Sequence, residues 1–433
     1  MMNNFNEITT DENSFSEDFE NFLSNRNLTT NEVSKVVAGI ISQVRKHGDK
    51  ALKAYTKEFD GFETEDFLVT NKEKDFALNH VDSNLVESLE YSFEKILSYQ
   101  TKCFESLNLK NPEEGITRKF RVIESIGMYI PGGKASYPST VLMASAPAIA
   151  CGIKNISITS PTKNGALDSK VIAAAKIAGI ENIFKIGGAQ AIAALALGTN
   201  QIPKVEKIIG PGNVFVAEAK KQLFGEVGID SIAGPSEILV LADKTSDPET
   251  IAWDLMAQSE HDSDASSVLI SDSQEIIKKV QEIIHQELEG LERCTIIKEA
   301  LSSNGLMIKI RDITEAKPII NRLAPEHLHI AFDHRNYKEE NQLIAGLILK
   351  GRDSANSLSD YVLGPSHILP TNSSSRFSSP LSVEDFLVSY SYISLNKSND
   401  YVKYEEYVKH TVNIANAEGL TAHALAAKNR LKN

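Results

Sequence analysis

The chain has 433 residues, 42% of them apolar, enough to bury the cores of two to four domains. Its 45 basic and 58 acidic side chains leave a net charge of −13, which excludes the basic field that nucleic acid or an anionic membrane requires. Three scattered cysteines (Cys103, Cys151, Cys294) form neither a disulfide framework nor a thiolate metal site, and the start carries no basic and apolar leader, so a reducing cytoplasm is expected.

Residues 1–30 read as a polar arm with a short helical pattern at 19–23. Apolar residues then recur at helical spacing over 33–59 and 85–104. The first strand-like stretch is 120–130, after which strands and helices alternate. NISITS (155–160) is a strand, and Asp168 caps an Ala-rich helix that stops at Gly179. NIFKIG (182–187), the helix 189–197, the strand 207–209 and the helix 214–223 continue the pattern. A second run begins with the buried strand EILVLAD (237–243). Asp247 and Pro248 supply an N-cap and an N1 proline for a helix through Gln258. SSVLIS, a helix to about 288, GLMIKI, a helix from 312 to about 323 and HLHIAF follow. Such alternation predicts parallel strands with crossover helices. The expected domains are 31–129 joined with 237–380, an inserted unit at 130–236, a turn-rich hinge at 371–380, and a tail, 381–433, that is helical from about 404. No apolar run is long enough to span a membrane.

Gln258 and His261, at i and i+3, project from one side of a helix and carry donors suited to a metal. The same pair also fits a helix C-terminus, where His261 favours the dipole and Gln258 only hydrogen-bonds. Asp360 and His423 add two more donors far downstream. In NRLAPEHLHIAF, Pro325 biases Ala324 toward an extended backbone, which ends the helix and leaves Glu326 and His327 at a junction. Adjacent titratable groups there suit acid–base work, though they also read as a surface pair. Ser236 follows a Gly-Pro turn at a strand edge, His367 lies seven residues after Asp360, and Glu418 lies five before His423. The Gly-rich YIPGGKASYPST and IGGAQAIAALALG are neither dinucleotide fingerprints nor P-loops, so spacing alone names no cofactor.

Taken together, YIPGGKASYPSTVLM, IGGAQAIAALALG, KIIGPGNVFVAEAK, IDSIAGPSEILVLAD, LMAQSEHD, NRLAPEHLHIAF, SDYVLGPSHILPT, RFSSPLSVEDF and AEGLTAHA resemble the histidinol dehydrogenase family over about residues 30–430. The resemblance implies two incomplete Rossmann-like, doubly wound α/β domains with an N-terminal arm and a helical C-terminal tail. It implies NAD-dependent, four-electron oxidation of L-histidinol to L-histidine through a bound aldehyde. Gln258, His261, Asp360 and His423 match zinc ligands, for one Zn2+ per subunit. Glu326 and His327 match a catalytic pair, with His327 as general base and Glu326 activating water. Ser236, His367 and Glu418 match substrate contacts beside Gln258, His261, His327, Asp360 and His423; Tyr129, Gln190 and Asn213 match NAD contacts. The family implies a homodimer whose tails exchange, which would place Glu418 and His423 in the partner's site. The chain departs from the family pattern at Pro380, Ser366, Ile186, Ser246 and Trp253. Two other classes stand beside this reading: a zinc hydrolase without NAD, with Glu326 as base, and a non-catalytic metal-stabilised binding protein.

Overall fold

The computed structural model describes residues 5–24, 31–107, 115–132, 136–162, 164–332 and 340–432. Positions 1–4 and 25–30 of the expected arm, and 133–135 of the Gly-rich segment after Tyr129, lie outside the described residues. The chain divides into two compact units, Met1–Ser106 with Val122–Phe386, and Leu107–Arg121 with Leu387–Asn433.

The first unit holds two sheets, both parallel throughout. One has the spatial order β1 (Asn6–Thr9), β10 (Gly305–Lys309), β9 (Ser266–Ser271), β8 (Glu237–Ala242), β11 (His327–Ile330), β12 (Leu347–Lys350). The other runs β5 (Asn182–Lys185), β4 (Asn155–Ser160), β3 (Ser125–Tyr129), β6 (Lys207–Ile209), β7 (Gly228–Ile229). Every residue of β8 and β9 is buried, as expected of apolar strands covered by helices on both faces. In the five-stranded sheet the chain winds from β3 out to β5, then crosses to β6 and β7. The winding therefore reverses between β3 and β6, the kind of switch point at whose carboxyl ends parallel α/β sheets bind ligands.

Four expectations change. The helical pattern over 33–59 is broken at Gly48 (φ 52) into Asn31–His47 and Asp49–Tyr55. The stripe Val37, Ile40, Ile41 and Val44 packs with the Ala-rich helix Gly188–Leu197 of the five-stranded sheet, rather than joining the 237–380 segment. The arm is more than polar cover: Asn6–Thr9 forms the edge strand β1, and Phe19 of the helix Phe15–Ser24 is buried beneath the six-stranded sheet. The stretch 371–380 is pinned rather than hinged, since Ser373 Oγ donates to the Leu323 carbonyl at 2.7 Å and Ser375 Oγ to that of Pro325 at 3.2 Å.

In the second unit, β2 (Ile116–Val122) pairs with β13 (Leu387–Ile393). The helices Tyr401–Ala417 and Thr421–Asn429 follow, separated at Gly419 (φ 75). Among the described residues no helix is long and apolar enough to cross a membrane.

Candidate active site

The helix Ala316–Leu323 stops where Ala324 adopts a left-handed conformation (φ 44, ψ 63) instead of the extended one expected before Pro325. An L-residue with a Cβ pays about 1–2 kcal/mol there. The turn delivers Glu326 and His327 to the amino edge of β11, next to the amino edge of β8, with His327 paired to Ile238. Glu326 accepts the Glu237 N–H at 2.8 Å, and Glu237 accepts the Glu326 N–H at 3.3 Å and the Asn372 N–H at 3.0 Å. Both carboxylates are buried.

His327 is buried too, and its two nitrogens have different surroundings. Nδ1 lies 3.0 Å from the Glu237 carbonyl and 3.6 Å from Glu326 Oε2, so it carries the N–H. Nε2 has no hydrogen-bond partner and points at Asp360 Oδ1, 3.6 Å away. Burial alone would lower the imidazole pKa, but the Glu326 and Asp360 carboxylates outweigh it and hold it at about 10. Burial pushes Glu326 above the usual carboxylate range. Asp360 is also pushed up by burial, but His327, His367 and His261 prevail and keep it low.

Gln258 sits near the end of the helix Pro248–Ser259, whose buried Ile251, Ala252, Leu255 and Met256 pack beneath β8 and β9. Asp247 caps this helix, accepting the Glu249 N–H at 3.2 Å with Pro248 following. His261 lies just past the helix end, and its N–H bonds back to the Gln258 carbonyl. Burial lowers its pKa, and the nearby Arg293, which donates to the His261 carbonyl at 3.3 Å, acts in the same direction. Asn356 Nδ2 bridges the downstream segment to this helix, 3.0 Å from Gln258 Oε1 and 3.5 Å from Asp360 Oδ2. His367 donates from Nδ1 to the Asp360 carbonyl at 2.9 Å, while its Nε2 meets Thr140 Oγ1 at 3.2 Å; burial lowers its pKa. Ser366, one of the departures, accepts the Ile368 N–H and leaves His367 so placed. Ser236 leads into β8 beside this group, its carbonyl accepting the Ser266 N–H. Glu237, Asn356 and Arg293 were not singled out from sequence; in one dimension they are a strand residue, a helix residue and a loop charge.

Thr140 ties this cluster to the carboxyl end of the five-stranded sheet, where the residues matched to NAD lie. Tyr129 ends β3, and its hydroxyl accepts the Gly188 N–H at 3.1 Å; burial pushes its pKa to about 12. Gln190 is buried in the first turn of the same helix, and its Oε1 would lie 2.6 Å from a Cβ on Gly188 (φ 69). Asn213 caps the helix Val214–Leu223, accepting the Phe215 and Val216 N–H groups, so only its amide N–H2 is left for a ligand. Ser136 Oγ, Thr159 Oγ1 and Thr162 Oγ1, at or just beyond the ends of β3 and β4, are buried without hydrogen-bond partners. Between β6 and Asn213, Gly210 (φ 106) runs so close to the Tyr129 carbonyl that a Cβ would lie 2.2 Å from its oxygen.

Glu418 and His423 belong to the second unit: Glu418 ends the helix Tyr401–Ala417, His423 lies in the first turn of Thr421–Asn429, and both are exposed. Among the described residues, no three His, Cys, Asp or Glu side chains form a ready metal-holding group. The expected set counts Gln258 and takes His423 from the second unit.

A Glu–His–Asp cluster at the amino edge of one parallel sheet, tied through His367 and Thr140 to the carboxyl end of a second, is the arrangement of an α/β enzyme. The histidinol dehydrogenase family model matches residues 23–431. Histidinol dehydrogenase of Oceanobacillus iheyensis is 45% identical over 405 residues, 93% of this chain and 94% of the relative. That of Clostridium acetobutylicum is 45% identical over 413 residues, 93% of each. The crystal structure of histidinol dehydrogenase from Elizabethkingia anophelis superposes with a TM-score of 0.91 at 32% identity, covering 99% of this chain and 98% of that one. The chain belongs to the histidinol dehydrogenase family and is an oxidoreductase.

Proposed function

We infer that this chain oxidises L-histidinol to L-histidine, with NAD as acceptor, in the last two oxidations of histidine biosynthesis. Family membership over nearly the whole chain supports the reaction. The structural observation that carries the chemistry is His327. Its Nδ1–H is fixed by the Glu237 carbonyl, which leaves Nε2 as the atom that exchanges a proton with the alcohol; because Glu326 and Asp360 hold the ring charged, it serves as the base only once Asp360 is engaged by a cation and its pull on Nε2 is relieved. Glu326, raised by burial and 3.6 Å from His327 Nδ1, is placed to accept a proton from the water that adds to the aldehyde, and then to help hold the imidazolium. The aldehyde stays bound because one buried site serves both oxidations.

The residues present fit the two groups the family uses. Gln258 Oε1 has a second lone pair beyond its bond to Asn356, His261 is held neutral by burial, and Asp360 is held ionised by its histidines. With His423 these would hold zinc, which would position the substrate's imidazole and amine by binding nitrogen donors. Tyr129, Gln190, Asn213 and the unpartnered hydroxyls of Ser136, Thr159 and Thr162 line the crevice for NAD, the hydride acceptor. The two sheets are read as two incomplete Rossmann-like domains. The second unit exposes Tyr390, Tyr392, Ile393, Val402, Ile414 and Leu425, an apolar surface that suits a homodimer in which the partner subunit supplies Glu418 and His423. The three free cysteines suit a reducing cytoplasm.

The test follows NAD reduction with L-histidinol, with and without a chelator. Two NADH per substrate, lost on chelation and restored by zinc, is the expected result. One NADH would show that the aldehyde escapes, and none with zinc bound would favour a hydrolase. In single-turnover assays Glu326→Gln should spare the first oxidation more than the second; equal loss of both would remove Glu326 from the water step.

A further inference from the structure

Alternate residues of a strand share a face, so His327 and His329 project from the same side of β11. His329 is fully buried. Its Nδ1 lies 2.6 Å from Asp254 Oδ2, and its Nε2 lies 3.0 Å from the Gly351 carbonyl oxygen. Both neighbours are acceptors. A neutral imidazole has a single N–H, so either tautomer would set a nitrogen lone pair against an oxygen lone pair, at a cost of about 1–3 kcal/mol for a buried unsatisfied group. The imidazolium satisfies both contacts. Moving the proton to Asp254 would invert the ordinary order of carboxylic acid and imidazole strengths. Burial works against the charge, but the Asp254 carboxylate prevails and raises the imidazole above its ordinary range.

The three elements joined at His329 are those that carry the site. Asp254 lies one helical turn before Gln258 on Pro248–Ser259. Gly351 follows β12 and leads to the helix Asn356–Tyr361, which carries Asn356 and Asp360. β11 itself begins at His327. We propose that His329 is a permanently charged positioning residue, a buried imidazolium whose two N–H groups fix the spacing of Gln258, Asp360 and His327. It touches no substrate and transfers no proton. Its functional half rests on the reading of His327 as the proton acceptor; its charge does not.

The experiment uses the full chain, labelled with 15N in its histidine rings, at mildly alkaline pH above the ordinary histidine range. Besides the His327 ring, which its carboxylates also hold charged, one further ring should show both nitrogens protonated, and that second signal alone should vanish in His329→Gln. In Asp254→Asn the same ring should lose one N–H. His329→Gln should lower kcat about 10–100-fold, the range for residues that orient a site from behind, with the KM for NAD within about twofold. Adding Asp254→Asn to it should restore part of kcat, because the carboxylate left unpaired is removed. A lone pair on either His329 nitrogen in the parent enzyme overturns the charge, whatever His327 does. A His329→Gln kcat within about twofold of the parent overturns the positioning role. If that variant does not fold, Asp254→Asn gives both readouts.

Discussion

Glu237 and Glu326 hold one another by the backbone: the Glu326 carboxylate accepts the Glu237 N–H at 2.8 Å, and the Glu237 carboxylate accepts that of Glu326 at 3.3 Å. Neighbouring parallel strands put the two amides side by side, and the reciprocal bonds fix the start of β11 to the start of β8. Glu237 thereby acts twice on His327, through its carbonyl on Nδ1 and through the frame that sets Glu326. Glu237→Ala should cost about 1–3 kcal/mol by leaving the buried Glu326 N–H without its acceptor. It should also lower kcat about 10–100-fold. Urea unfolding and steady-state kinetics separate the two; a kcat equal to the parent's would leave the pair a purely structural one.

Lys220 and Asp230 form an ion pair whose side chains are only 1% and 4% exposed. Lys220 Nζ donates to the Gly210 carbonyl at 3.0 Å while Asp230 Oδ2 accepts the Gly210 N–H at 2.7 Å, so one pair clamps both sides of the glycine that follows β6 in the turn leading to Asn213. Lys220→Met strands a buried carboxylate and should destabilise by about 3–5 kcal/mol; Lys220→Met with Asp230→Leu should recover much of that. Both forms should raise the KM for NAD more than that for L-histidinol. An unchanged NAD titration in the folded double variant would detach the clamp from the proposed NAD site.

Ala324 bears its left-handed conformation beside Glu326 and His327, the proposed catalytic pair. Ala324→Gly removes the Cβ penalty and should raise stability by up to about 1 kcal/mol, read from the denaturation midpoint. A lower midpoint would show that the turn is unstrained.

Asp60 has a buried oxygen without a partner, and burial raises its pKa to about 6. A carboxyl with a raised folded pKa destabilises the fold once the pH exceeds its unfolded value, fully so above about 6. Asp60→Asn should therefore stabilise the protein at neutral pH, by about 1 kcal/mol after discounting for solvent. The gain should disappear below about pH 4, where the unfolded carboxyl is protonated as well. A gain that is the same at both pH values would exclude ionisation as its cause.

Strands such as β4, β6 and β9 were legible because short apolar runs end at Gly, Pro or Asp, and Asp168 and Asp247 announce their helices by capping chemistry. β1 was not: a polar edge strand buries little and carries no strong alternation. Of the proposed site, Gln258, His261, Asp360, Glu326 and His327 were picked out by residue type and spacing, and the motif resemblance gave them their roles. Glu237, His329, Asn356 and Arg293 were missed because their roles arise only where β8, β11 and the Gln258 helix converge. Ala324 shows the limit of a local rule: Pro325 disfavours helix before it, yet the tertiary turn selects a left-handed residue over an extended one.

The edge strand β1 has a consequence for synthesis. Asn6 pairs with Leu306, so β1 must wait for its partner strand until about 300 further residues have been made. Until then the polypeptide carries an unmatched segment, and the β10 edge stays open to other chains until β1 docks on it. Closing so distant a pair is slow, which makes β1 the expected late piece to settle in a newborn molecule.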